Sequence, residues 1–113
     1  GAPLEENVTE VLTSDLQALL PGAVIWSDRT LRHQDVTTRL HVRLLRLGGR
    51  LGENAELTAR WSLFDGDGRE LLRTGLRRDR VQLADAQVET YVEALGKLVG
   101  ALASDIAQAI RDL

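Results

Sequence analysis

The chain contains no cysteine and no methionine among its 113 residues. Zero cysteine excludes disulfides, thiolate metal sites, a cysteine nucleophile and acylation at a cysteine within these residues, and it is silent on redox compartment. Aromatic residues are few, two Trp, one Tyr and one Phe. No run approaches the roughly 18–20 apolar residues of a spanning helix, and no signal peptide is present. Basic residues are slightly outnumbered, 14 against 17 acidic, for a net charge of −3. A nucleic-acid-binding domain would show a basic excess, so no nucleic acid is expected as a partner. The chain opens Gly1-Ala2-Pro3 without an initiator methionine, and that start reads as a processed or engineered terminus.

What is present is an ordinary globular composition, 43% apolar and 27% charged. That is enough to bury one core and fits a single domain over residues 1–113. No repeat, low-complexity tract or linker interrupts it.

The two prolines bracket the first element. Leu4, Val8, Val11, Leu12, Leu16, Leu19 and Leu20 recur at steps of three and four, which makes an amphipathic helix over residues 3–20. Pro3 suits a first helical turn, where its missing N–H has no intrahelical partner, and Pro21-Gly22 ends the helix. Ala23-Val24-Ile25-Trp26 is a short β-rich run, and residues 27–35 are polar and loop-like.

Period two takes over at Thr38. Leu40, Val42 and Leu44 point one way; Arg39, His41 and Arg43 point the other. The alternation slips at Leu44-Leu45, as a bulge would make it do, after which Leu45 and Leu47 take the apolar role. Gly48 to Gly52 reads as a turn. In the next strand Leu57, Ala59, Trp61 and Leu63 alternate with Glu56, Thr58, Arg60 and Ser62, and Asp65-Gly66-Asp67-Gly68 closes a hairpin. A third strand over residues 69–80 sets Leu72, Thr74 and Leu76 on one side. The last helix runs from Asp85, its N-cap, to Asp112. Its apolar stripe extends from Val88 and Val92 through Leu98, Leu102 and Ile106 to Leu113. Gly96 and Gly100 inside it each cost about 1 kcal/mol relative to Ala, which close packing on the sheet would offset. The fold class is therefore α+β, an antiparallel meander with both amphipathic helices on one face. Arg39, His41, Arg43, Glu56, Thr58, Arg60 and Ser62 fall on the other face, which stays wet.

Candidate chemistry is sparse. A calcium loop starting at Asp65 needs oxygen ligands at its fifth and twelfth positions; those hold Arg69 and Leu76, so the segment is a turn. His33 and His41 lack metal-ligand spacing. Gly48–Gly52 leads into a strand and has no helix N-terminus to cradle a phosphate. No nucleophile elbow occurs. Neither catalytic, metal nor cofactor residues are expected, and the chain is read as a non-enzyme. One cluster remains as a partner-binding strip: Arg39, His41, Arg43 and Arg60, a patch for an acidic partner or lipid headgroups, or else a solvated face with cross-strand charge pairs.

Three stretches in order carry a family resemblance. They are Ala2-Pro3-Leu4-Glu5-Glu6-Asn7-Val8 through Leu19-Leu20-Pro21-Gly22-Ala23, then Leu57-Thr58-Ala59-Arg60-Trp61-Ser62-Leu63 with Asp65-Gly66-Asp67-Gly68, then Tyr91-Val92-Glu93-Ala94-Leu95 through Asp105-Ile106-Ala107. Together they resemble the ABC-type transport auxiliary lipoproteins of the paraquat-inducible protein C type. The resemblance implies an outer-membrane lipoprotein facing the periplasm, without enzymatic activity or cofactor. It also implies an MCE-type (mammalian cell entry) protein with its ABC transporter as partners in lipid movement between the two membranes. The family's signal peptide, lipobox cysteine and N-terminal strands have no counterpart here, which implies a soluble fragment whose anchor and upstream strands precede Gly1. The competing expectation is an interaction or assembly domain that forms homo-oligomers through a sheet edge.

Overall fold

The structure, a computed structural model, describes residues 2–23, 25 and 37–113. Helix α1 spans Ala2–Leu19, strands β1, β2 and β3 span Thr38–Arg50, Asn54–Asp65 and Leu71–Gln82, and helix α2 spans Val88–Arg111. The strands form one antiparallel sheet in the order β1-β2-β3, so the architecture is α+β, a meander with α2 laid on one face and α1 packed against α2. The side chain of Leu4, Val24 and Trp26 of the short β-rich run, and the loop over 27–35 lie outside the described residues. Ala23 and Ile25 belong to no strand.

Alternation decides the faces. Ala55, Leu57, Ala59, Trp61 and Leu63 of β2 are buried beneath Ala94, Leu98, Leu102 and Ile106 of α2 and their neighbours. Fully burying a side chain the size of Leu102 or Ile106 stabilises by about 1.5–3 kcal/mol. Helix α2 lies on β2 and β3, while α1 packs mainly against α2 through Val8, Leu12 and Leu16.

Several local expectations are corrected. The slip at Leu44-Leu45 is a bulge between Leu44 and Arg46, as the pattern predicts, and Leu47 then faces inward. Leu45, however, is the extra residue and is 51% exposed. Strand β1 continues through Gly48 and Gly49 to Arg50, so the turn is confined to residues 51–53. Gly49 has φ 142°, and a Cβ there would collide with the Asn54 carbonyl. Helix α2 starts at Val88 with Gln87 as N-cap; Asp85 stands two residues earlier and accepts the Gln87 N–H at 3.0 Å. The stripe of α2 does not stay covered at its start, where Val88 and Val92 are 57% and 58% exposed. Nor do its glycines meet the sheet: a Cβ on Gly96 would touch nothing, and one on Gly100 would face Asp15 of α1.

The largest correction concerns β3. A second register shift falls between Leu63 and Phe64, where Phe64 pairs with Leu71 and Leu63 with Arg73, leaving Leu72 as an added residue. Leu72 packs toward the core, while Thr74 and Leu76 pair with Ser62 and Arg60 and so share the open face.

Candidate functional site

The open face of the sheet follows directly from the two ladders. Its rows, read from β1 across β2 to β3, are Arg39–Phe64–Leu71, His41–Ser62–Thr74, Arg43–Arg60–Leu76, Arg46–Thr58–Arg78, Gly48–Glu56–Arg80 and Arg50–Asn54–Gln82. All four residues of the expected strip, Arg39, His41, Arg43 and Arg60, lie on this face. The structure adds Arg46, Arg50, Arg78 and Arg80, which the sequence reading did not place there. Seven arginines against one glutamate give these rows a formal charge of +6. On a chain of net charge −3, that leaves −9 for everything else. The modest overall balance hides a strongly segregated molecule.

The arginines are not equivalent. Arg39 is half-buried, and its Nε donates to the Gly66 carbonyl at 2.8 Å, tying β1 to the β2–β3 turn. That turn is further held by Asp65, whose Oδ1 accepts the backbone N–H groups of Arg69 (2.8 Å) and Glu70 (3.3 Å). The Arg69 N–H first, then that of Glu70, holds the Asp65 carboxyl below the usual carboxylate range. Glu56 takes Arg46 at 3.1 Å on one side and Arg80 at 3.0 Å on the other. These are the cross-strand charge pairs of a solvated face, and they account for two of the seven cations. Arg43 and Arg60 are directly opposite one another, and neither they nor Arg78 meets a carboxylate among the described residues. His41 is exposed and meets Phe64 edge-on, with ring centroids 5.3 Å apart. His33 lies outside the described residues.

The helix-facing side of β3 holds a separate ion cluster. Arg77 donates to Asp105 of α2 at 2.8 Å and to Asp79 at 3.1 Å. Asp105, hydrogen-bonded to the guanidinium, raises the Arg77 pKa above the ordinary arginine range. Its Nε is buried without a hydrogen-bond partner among the described residues. Beside this clamp an open groove of about 380 Å³ runs between β3 and the end of α2, past Trp61, Arg73, Gly75 and Gln108. The cluster pins α2 to the sheet edge; its charges are consumed by one another. Among the described residues no group of three or more His, Cys, Asp and Glu side chains could hold a metal ion, and no helix is long and apolar enough to cross a membrane.

Comparison with known proteins bears on the same architecture. A family model described as the ABC-type transport auxiliary lipoprotein component matches residues 1–107. Among solved structures, a crystal structure of an uncharacterized protein superposes with a TM-score of 0.80 at 20% identity, over 95% of this chain. The chain spans 66% of that protein's length. A protein provisionally described as a lipoprotein of Caulobacter crescentus CB15 superposes with a TM-score of 0.52 at 16% identity, over 91% of this chain and 76% of the other. At such identities these two likenesses speak for the fold alone. No curated protein matches the sequence.

Proposed function

The chain belongs to the ABC-type transport auxiliary lipoprotein component family, and from that premise we propose that it is a non-enzymatic docking component of an MCE-type ABC lipid-transport system. Membership associates it with an ABC transport system and with a membrane-anchored place in the cell envelope. In this proposal it stands on the periplasmic face of the outer membrane, held by a lipid anchor, with an MCE protein and its transporter as partners. The observation that carries the docking role is the uncovered arginine face: seven guanidinium groups presented together by three strands, with carboxylate partners for two. Charge gathered in this way steers association and fixes orientation. The ion cluster at Arg77 is half-buried, pairs its charges between β3 and α2, and supplies structure instead.

Capture of the anchored, full-length protein from bacterial envelopes, with mass spectrometry of what accompanies it, tests the assignment. Recovery of an MCE protein or transporter subunits is expected. Finding neither, with the protein in the cytoplasm, would refute it.

One observation favours a second reading. Among the described residues both β1 and β3 are edges of a three-stranded sheet, and each is at least 12 residues long, so either edge could pair with a second copy. Light scattering that shows a strict monomer across concentration would dismiss this alternative.

A further inference from the structure

We propose that the arginine face of the sheet lies flat against an anionic membrane surface, its guanidinium groups meeting the phosphates of lipid headgroups. This rests on the reading above that the face is a docking surface, and it names what the face docks to.

Extent is the first argument. The cations run the length of β1 from Arg39 to Arg50 and across all three strands. By strand rise, the 13 residues of β1 span about 40 Å. A protein partner usually concentrates its contact on a few central residues, whereas a membrane offers anionic groups along the entire span.

Residue type is the second. Every cation in these rows is an arginine, whose planar fork fits a phosphate with two parallel hydrogen bonds and is more weakly hydrated than an ammonium. Leu71 and Leu76 stand in the same rows and are 52% and 51% exposed. Arginine interleaved with exposed leucine suits the headgroup boundary, where guanidinium groups reach phosphate and short apolar chains dip beneath it.

Charge placement is the third. The remainder of the chain carries −9, opposite in sign to the arginine rows. An anionic surface therefore favours the orientation that turns the sheet face toward it. Arg43 and Arg60 oppose each other without an anion among the described residues, and a bridging phosphate would supply one. Membership in a lipoprotein family places the domain beside a membrane, so the surface is present at high effective concentration.

The test is flotation of this chain with vesicles of phosphatidylethanolamine and phosphatidylglycerol, against vesicles of phosphatidylcholine alone. The variant is R43Q/R60Q/R78Q, with circular dichroism confirming that it folds. Binding to the anionic vesicles only, weakening as salt shortens the screening length, is expected. Each cation near such a surface contributes on the order of fivefold, so the triple variant should bind about a hundredfold more weakly. The triple lysine variant, which keeps charge and loses the fork, should fall between. Equal binding by the wild type and the glutamine variant overturns the proposal. So does a wild type that ignores both vesicles, and if the glutamine variant then also loses the captured protein partners, the face belongs to an acidic protein and the docking function stands. Vesicle binding that depends on the arginines, with no transport component recovered from envelopes, keeps this inference and removes the transport assignment.

Discussion

Replacing Arg60 with Glu should make the isolated domain more stable while weakening what it docks to. Arg60 is the cross-strand neighbour of Arg43, and side chains so paired start about 5 Å apart at Cβ. Splayed into water, the two guanidinium groups settle at roughly 7 Å, where like charges repel by about 0.6 kcal/mol at the dielectric constant of water. A glutamate removes that repulsion and replaces it with an attraction of similar size. Arg46 and Arg78, in the next row of the face on the neighbouring strands, add to the attraction from further off. Side-chain ordering and screening reduce the gain, leaving about 0.5–1 kcal/mol at low salt. For a chain of this length that is a rise in Tm of about 2–4 °C. Urea unfolding followed by far-UV circular dichroism, at low salt and in molar salt, reads the effect. The stabilisation should vanish in molar salt, where the screening length falls to about 3 Å. R60E unfolding more easily than the wild type at low salt, or a gain indifferent to salt, would refute the reasoning. The opposed pair would then not be strained by its charge.

Two further outcomes follow from the packing and the turn. A methyl group on Gly75 would sit 2.8 Å from Trp61 Nε1 and nearer still to its ring carbons, so G75A should destabilise by about 1–3 kcal/mol despite its better strand propensity; W61F should relieve part of that loss, and a double-mutant cycle with no coupling would contradict the contact. Asp65, with its carboxyl held below its unfolded value of 3.8 by the Arg69 and Glu70 N–H groups, contributes stability that is present above that value and lost as pH falls through the lower folded one. D65N should therefore be less stable at neutral pH, with the gap to the wild type closing in acid; a gap constant with pH in thermal melts would show that the carboxylate charge is irrelevant to the turn.

The arginine face was half legible in the sequence, and the two bulges explain which half. Strict alternation places Arg39, His41 and Arg43 opposite Leu40, Val42 and Leu44, and β2 is read with equal ease because its inner residues are apolar from Ala55 to Leu63. The slip at Leu44-Leu45 is visible because two leucines fall together, and the extra residue swings Arg46 and Arg50 to the side of Arg43. In β3 the same device leaves no trace. Counted straight from the turn, Leu72, Thr74 and Leu76 look like an inner face, and the arginines beyond them would point inward too. The added residue Leu72 reverses this, so Leu76, Arg78 and Arg80 turn outward and Arg73, Gly75 and Arg77 turn to the helices. Nothing in β3 alone declares that, because this edge strand faces the helix layer with a glycine and charged groups instead of a continuous apolar row. What selects the shifted register lies on other elements: the Trp61 ring fills the space over Gly75, and Asp105 of α2 receives Arg77. A contact between β3 and a helix that begins beyond it thus decides on which face Arg78 and Arg80 stand. A charge pattern that assembles a surface from three strands is written in the pairing between them, and only the part carried by unbroken alternation can be read from one strand at a time.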